Sequence, residues 1–291
     1  GCEKFMKKKT GRFITGKGRY TDDMVVPGMK QAHFVRSPHA HAKIKNIDIS
    51  AAEKMPGVIG ILNGDQLAED AIGNIICGWM IHSKDGTPMN MGAWRPLAQE
   101  TVRYVGDAVA IVVADTKEQA RDAAEAVVVD YETLPVVTSA VGALKDGAPQ
   151  IHPEAKNNLI FDWEIGDAAA TDAAIASAAH VTEMKIINNR LVPNPMEPRA
   201  ALGVYDEGED HYTLWTTSQN PHVARLVLSA FYNVAPENKL RLEDLHLSRG
   251  NRLPVGLQTH RCSGQMEFRP DGSLPDRRPW PRSCVHHQDG I

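Results

Sequence analysis

The sequence has 291 residues, 42% hydrophobic and 23% charged, with 32 basic side chains against 36 acidic ones and a formal charge of −4. That near-balance argues against a nucleic-acid or anionic-membrane surface, and no apolar run approaches a membrane span. The length admits two domains. Cys2, Cys77, Cys262 and Cys284 show no close spacing, which points to a reducing cytoplasm rather than a disulfide framework. Lys7-Lys8-Lys9 is followed by no apolar core, so no cleavable signal peptide is expected. The chain starts with Gly rather than Met and reads as a fragment.

Gly11 to Gly18 comes close to a phosphate-binding loop, but Gly18 stands where a Ser or Thr must hold magnesium, and no strand precedes it. Strands are expected over Lys30–Arg36, Ala42–Ile49 and Val58–Leu62, the last closed by a turn at Asn63-Gly64-Asp65. His39 and His41 share one strand face, but with no third ligand nearby they read as hydrogen-bonded or exposed imidazoles. Ser50-Ala51-Ala52-Glu53 predicts a capped short helix stopped by Pro56-Gly57. Residues 68–93 read as a loop with one short strand around Ile75. Val102–Val105 and Ala108–Ala114, joined at Gly106-Asp107, predict a strand pair, and the unbroken run AVAIVVA predicts burial of the second strand on both faces. Thr116 to Gln119 caps a helix that turns Ala120, Ala123, Ala124 and Val127 inward, and Val127–Tyr131 returns as a strand. Residues 12–137 thus predict a compact α+β domain.

Residues 138–157, rich in Ala, Gly and Pro, predict a linker. A short strand over Asn158–Phe161, an Ala-rich helix ending near Ala179 and a strand over His180–Asn188 are expected next. A hairpin follows, with Ala200–Tyr205 as one arm, Asp206–Asp210 as the turn and His211–Ser218 as the other arm. Asn220-Pro221 then starts a helix whose apolar face is Val223, Leu226, Val227, Ala230 and Phe231. Gln219 therefore falls at a strand-to-helix corner beside the positive end of a helix. That corner suits an amide offered to an oxo group or an anionic cofactor. A glutamine that merely caps its own loop is the alternative.

MEPRAA (196–201), TLWTTSQNPH (213–222) and PENKLR (236–241) resemble the large, molybdenum-binding subunit of the molybdenum hydroxylases. These are the xanthine dehydrogenase and aldehyde oxidase family, and the resemblance is closest to its aerobic carbon monoxide dehydrogenase branch. It implies an α/β hammerhead domain over 12–137, then the beginning of the molybdenum-cofactor-binding domain over 158–241. It assigns Gln219 as catalytic, hydrogen-bonding an oxo ligand, and Gln219 with Asn220 as cofactor-binding; it assigns no residue here as a metal ligand. It also implies a molybdenum–molybdopterin cytosine dinucleotide cofactor in the intact parent. An iron–sulfur small subunit carrying [2Fe-2S] and an FAD-binding medium subunit would be the partners, in a cytoplasmic dimer of heterotrimers. The family's later cysteine loop and its far C-terminal glutamate have no counterpart in this sequence, so activity of this chain alone is not expected. A second reading is a non-catalytic hammerhead module that docks on the iron–sulfur or flavin partner.

Residues 242–291 change character: they contain no alanine and no lysine, and no periodicity persists. His260, Cys262, Cys284 and His286 do not fit zinc-finger spacing, and seven arginines against six acids make the stretch hardly basic. Synonymous codons for Gly264–Ser283, read one base later, give VKWSSDRMAAFLTDAHGRDH, which is similar to the family. The tail is therefore expected to be out of frame from about Arg241–Leu242, with the family's glycine-rich GGGFG loop missing. A divergent complete enzyme with a new tail function is the remaining alternative.

Overall fold

The computed structural model describes residues 15–187, 191–192, 194–195, 197–218 and 220–243, together with the backbone of a strand at 283–287. Its elements in order are β1 (Lys30–Arg36), β2 (Ala42–Asp48), β3 (Val58–Asn63), α1 (Gly64–Glu69), β4 (Thr101–Val102), β5 (Ala108–Ala114), α2 (Lys117–Glu125) and β6 (Val128–Thr133). They continue as α3 (Ala140–Ala143), α4 (Ala168–Ser177), β7 (Ala200–Asp206), β8 (His211–Thr216), α5 (Pro221–Ala230), β9 (Leu240–Glu243) and β10 (Ser283–His287). Contacts divide the chain into one unit of residues 1–75, 94–135 and 195–290, and another mainly of 76–93 and 136–194. Among the described residues no helix is long and apolar enough to cross a membrane.

In the first unit, β5 is the strand around which the rest packs. Its apolar run pairs antiparallel with β1 on one side and β3 on the other. Alternation of side chains then sends Ala110 and Val112 toward Ala123, Ala124 and Val127 at the end of α2, while Val109 meets Ala42, Ala98 and Val102 on the other face. The expected burial on both faces is therefore observed. α2 forms because Thr116 and Gln119 close a reciprocal capping box, at 3.1 and 3.2 Å, ahead of an alanine stripe that fits closely on the sheet.

The expected β4–β5 hairpin does not form. β4 pairs with β2, and β6 also pairs with β2, so these three make a separate sheet in the order β4-β2-β6. At the Gly106-Asp107 turn, the Asp107 carboxylate accepts from Arg103 N–H (3.0 Å), and Ser37 exchanges backbone bonds with Gly106 and Asp107 (both 2.8 Å). Those bonds replace the ladder that a hairpin would need. The helix after β5 consequently carries the chain from one sheet to the other rather than back to its neighbour.

Three local expectations also change. Asn63 does not close a turn: its side chain accepts from Asp65 and Gln66 N–H (3.1 and 3.0 Å) and starts α1. Ser50 makes no helix cap either. Its N–H donates to the Asp48 side chain (2.9 Å), and Ala52–Lys54 is a single 3-10 turn. No strand forms around Ile75 among the described residues. His41 is buried with Nδ1 2.8 Å from Pro135 O, whereas His39 sets its ring edge on Tyr131 at 4.9 Å, so the two imidazoles are engaged separately.

The larger sheet runs β3-β5-β1-β10-β7-β8-β9, with β1–β10 and β8–β9 parallel and the other pairs antiparallel. β9 extends through Glu243, whose carboxylate accepts from the Trp215 indole at 3.2 Å. Apart from the backbone of β10, the remaining tail, His260 and Cys262 included, lies outside the described residues.

In the second unit the stretch expected as a linker is organised by one side chain. Asn158 Nδ2 donates to Ala143 O and Pro149 O, and its Oδ1 accepts from Ile151 N–H, all at 2.9–3.0 Å. Residues 159–162 make no regular strand, yet Ile160 O and Asp162 O accept from Asn90 and Lys84 N–H (2.9 and 2.7 Å). α4 forms behind an Asp167 cap and buries none of its residues. His180–Ile187 is exposed and irregular instead of a strand.

Candidate functional site

The β7–β8 hairpin forms as the sequence predicts, with Leu202 opposite Trp215 and both buried against Met24. Its turn is closed by Asp210, which accepts from the Tyr205 hydroxyl at 2.9 Å and pairs with Lys239. The Lys239 ammonium and then the Tyr205 hydrogen bond hold the Asp210 carboxyl below the usual range. The same hydrogen bond, with some burial, pushes the Tyr205 phenol up to about 12. Because the neutral phenol is favoured when folded, its contribution is full below the ordinary tyrosine value of about 10 and is lost as pH rises through about 12. Asp210→Asn is expected to bring the Tyr205 ionisation back toward its ordinary value, read from phenolate absorbance. An unmoved titration would break the assignment.

The open end of the hairpin is where the predicted corner lies. Thr217 Oγ1 accepts from Ala200 N–H at 3.1 Å and donates to Pro198 O at 3.2 Å, while Thr216 Oγ1 donates to Ala200 O at 3.1 Å. Two segments that stand sixteen or more positions apart are thereby locked together. The sequence reading gave these threonines no role. Two adjacent hydroxyls leaving a strand next to a Pro-x-Ala arm were the available signal.

Past the threonines, Ser218 Oγ accepts from Asn220 N–H at 3.2 Å, and Pro221 occupies the first position of α5. Asn220 is the residue before the helix, as expected from Asn-Pro, and its carbonyl accepts from Ala224 N–H at 2.9 Å. Its side chain does not cap the helix: φ −133° and ψ 72° leave it exposed and without a capping hydrogen bond. The Asn220 amide is thus not engaged in capping the helix at its positive end. Gln219 lies outside the described residues. Arg225 pairs with Glu237 at 2.8 Å and steadies the flank of α5. Its apolar side chains Val223, Leu226 and Phe231 are exposed, and no residue of α5 is buried. Among the described residues no group of three or more His, Cys, Asp or Glu is placed to hold a metal ion.

Residues 15–135 match the aldehyde oxidase and xanthine dehydrogenase a/b hammerhead domain, and residues 151–246 match the molybdopterin cofactor-binding domain. The carbon monoxide dehydrogenase large chain of Hydrogenophaga pseudoflava is 36% identical over 263 residues, covering 86% of this chain and 31% of that one. Among solved structures, the reconstituted CO dehydrogenase from Oligotropha carboxidovorans is similar with a TM-score of 0.68 at 34% identity, covering 80% of this chain and 29% of that chain. Quinoline 2-oxidoreductase from Pseudomonas putida 86 gives a TM-score of 0.72 at 28% identity, covering 97% and 34%. The chain thus spans about three-tenths of the length of the curated relatives it matches.

Proposed function

The chain belongs to the aldehyde oxidase and xanthine dehydrogenase family of molybdenum-dependent oxidoreductases, and from that premise we propose that it is part of a large, cofactor-holding subunit of the carbon monoxide dehydrogenase type. The observation that carries this reading is the corner after β8, tied to Ala200 by Thr216 and Thr217 and ending in the exposed, uncapped Asn220. Gln219 would be its catalytic residue, donating a hydrogen bond to an oxo ligand, and Gln219 with Asn220 would hold the cofactor. Neutral amides and N–H groups at a helix N-terminus would fit an oxo group on molybdenum and the pyrophosphate of a molybdopterin dinucleotide, because they donate without adding charge. When bound, the cofactor supplies two-electron redox chemistry at molybdenum. The chain's own residues bind and orient it.

The form of the cofactor is the cytosine dinucleotide. The partners of the parent are an iron–sulfur small subunit with [2Fe-2S] and an FAD-binding medium subunit, in a cytoplasmic dimer of heterotrimers. This chain alone turns over no substrate. The independent clusters around β5 favour one second reading, a hammerhead module that docks on those partners without cofactor.

A chimera separates the two. Residues 15–241 would replace the corresponding segment of the Hydrogenophaga pseudoflava large chain, purified with its partner subunits. Stoichiometric molybdenum and a cytidine nucleotide released on acid hydrolysis are expected. A folded chimera that co-elutes with its partners but carries no molybdenum would overturn the proposal in favour of the docking module.

A further inference from the structure

α5 carries the Asn220 corner at one end and is only partly seated. None of its residues is fully buried, although Ala224, Val227 and Leu228 are half-buried and the helix lies against β9. A small set of polar links adds to that shallow packing. Asn220 and Ser218 act at its start, the Arg225–Glu237 ion pair in its middle, and a contact with Gly73 just past its end.

The Gly73 contact is unusually close. α1 ends with Asp70 and Ile72 N–H donating to Gln66 O and Leu67 O (3.0 and 2.9 Å), and with Ala71 at φ 57° in the left-handed region. This turn brings Gly73 onto the backbone of Phe231 and Tyr232, where Gly73 N–H donates to Tyr232 O at 3.3 Å. A β-carbon at Gly73 would lie 1.9 Å from Phe231 O and 3.0 Å from Phe231 C. Both atoms are backbone, so no side-chain rotation relieves the clash; the carbonyl itself must retreat by about 1 Å merely to reach 3.0 Å. Gly73 is not among the residues with positive φ, so the position needs glycine for space and not for conformation.

We propose that Gly73 is a positioning residue for the Asn220 corner: by letting two backbones touch, it anchors the far end of α5 and so sets where the near end lies. A ten-residue helix is about 15 Å long and moves as a rod, so displacement at Phe231 is transmitted to Asn220. The inference rests on the reading of that corner as a cofactor site. It predicts that the segment matching the hammerhead domain sets cofactor geometry in the next domain without touching the cofactor.

Amide hydrogen exchange on the full chain tests it, comparing Gly73→Ala with Gly78→Ala. Gly78 is a control because a β-carbon there meets nothing within 4 Å and its φ is ordinary. With Gly73→Ala, amides over 222–232 and Asn220 are expected to exchange at least about tenfold faster, with 30–36 and 108–125 unchanged; Gly78→Ala should leave both sets unchanged. In the chimera described above, Gly73→Ala should also alter the molybdenum(V) paramagnetic resonance spectrum, which loss of stability alone would not do. Unchanged exchange over 220–232, or equal acceleration across β1 and β5, would overturn the proposal, as would faster exchange with an unaltered spectrum. A chimera lacking molybdenum even with Gly73 intact would remove the cofactor reading instead, and exchange would still decide whether Gly73 holds the helix.

Discussion

Replacing Leu202 with alanine is expected to destabilise the protein by about 2–5 kcal/mol, the range for emptying a closed aliphatic site. Leu202 is fully buried on β7, faces Trp215 across the hairpin and packs on Met24, with Val26, Met29 and Val204 around it. The cluster joins the N-terminal arm to the hairpin that presents the corner. Its loss should therefore loosen Thr216 and Thr217 as well as lower stability. Denaturant unfolding followed by tryptophan fluorescence is suited to the measurement, because Trp215 is buried whereas Trp79, Trp94 and Trp163 are exposed. Val128→Ala, at a position 63% exposed, should move the midpoint by less than about 0.5 kcal/mol equivalent. Equal midpoints for the two variants would refute the cluster.

The second large effect concerns solution behaviour. In the unit of residues 76–93 and 136–194, Trp79, Trp163, Ile165, Met184, Ile186 and Ile187 are exposed, Ile165 to 80%. Large apolar side chains left in water at these positions favour association. Purified alone, the chain is expected to bind a hydrophobic dye strongly and to self-associate as concentration rises, with little relief from added salt because the attraction is not ionic. Lysine at Ile165 and Ile187 together should reduce both signals. A monodisperse monomer that binds no dye at tens of micromolar would contradict the picture.

What could be read in the sequence follows a physical line. Thr116–Gln119 was legible because a capping box is local: four residues contain both hydrogen bonds. The β7–β8 hairpin was legible for the same reason, with its turn residues and both arms contiguous. β4 and β5 misled because Gly106-Asp107 has the composition of a hairpin turn. The decisive bonds come from Ser37, seventy positions away, and no local pattern announces them. His180–Asn188 has strand composition, but no neighbouring strand pairs with its described part, and strand geometry is stable only when a partner takes its backbone groups. At the corner, Asn220-Pro221 located the start of α5 from sequence. The side chain's failure to cap depended on backbone angles that composition does not carry.

The position of β5 in the chain bears on how the protein is made. Its partner β1 lies more than seventy residues earlier, and the register pairs Arg36 with Ala108 and Gln31 with Ala114. During synthesis the first strand leaves the ribosome long before its neighbour exists, and helix-rich shortcuts are few in between. The nascent chain must hold Phe34, Val35 and the strand of Ile61 and Leu62 unpaired until the AVAIVVA segment emerges, then close a long loop in one step. That order makes the interval before residue 114 the stage at which chaperone protection counts most.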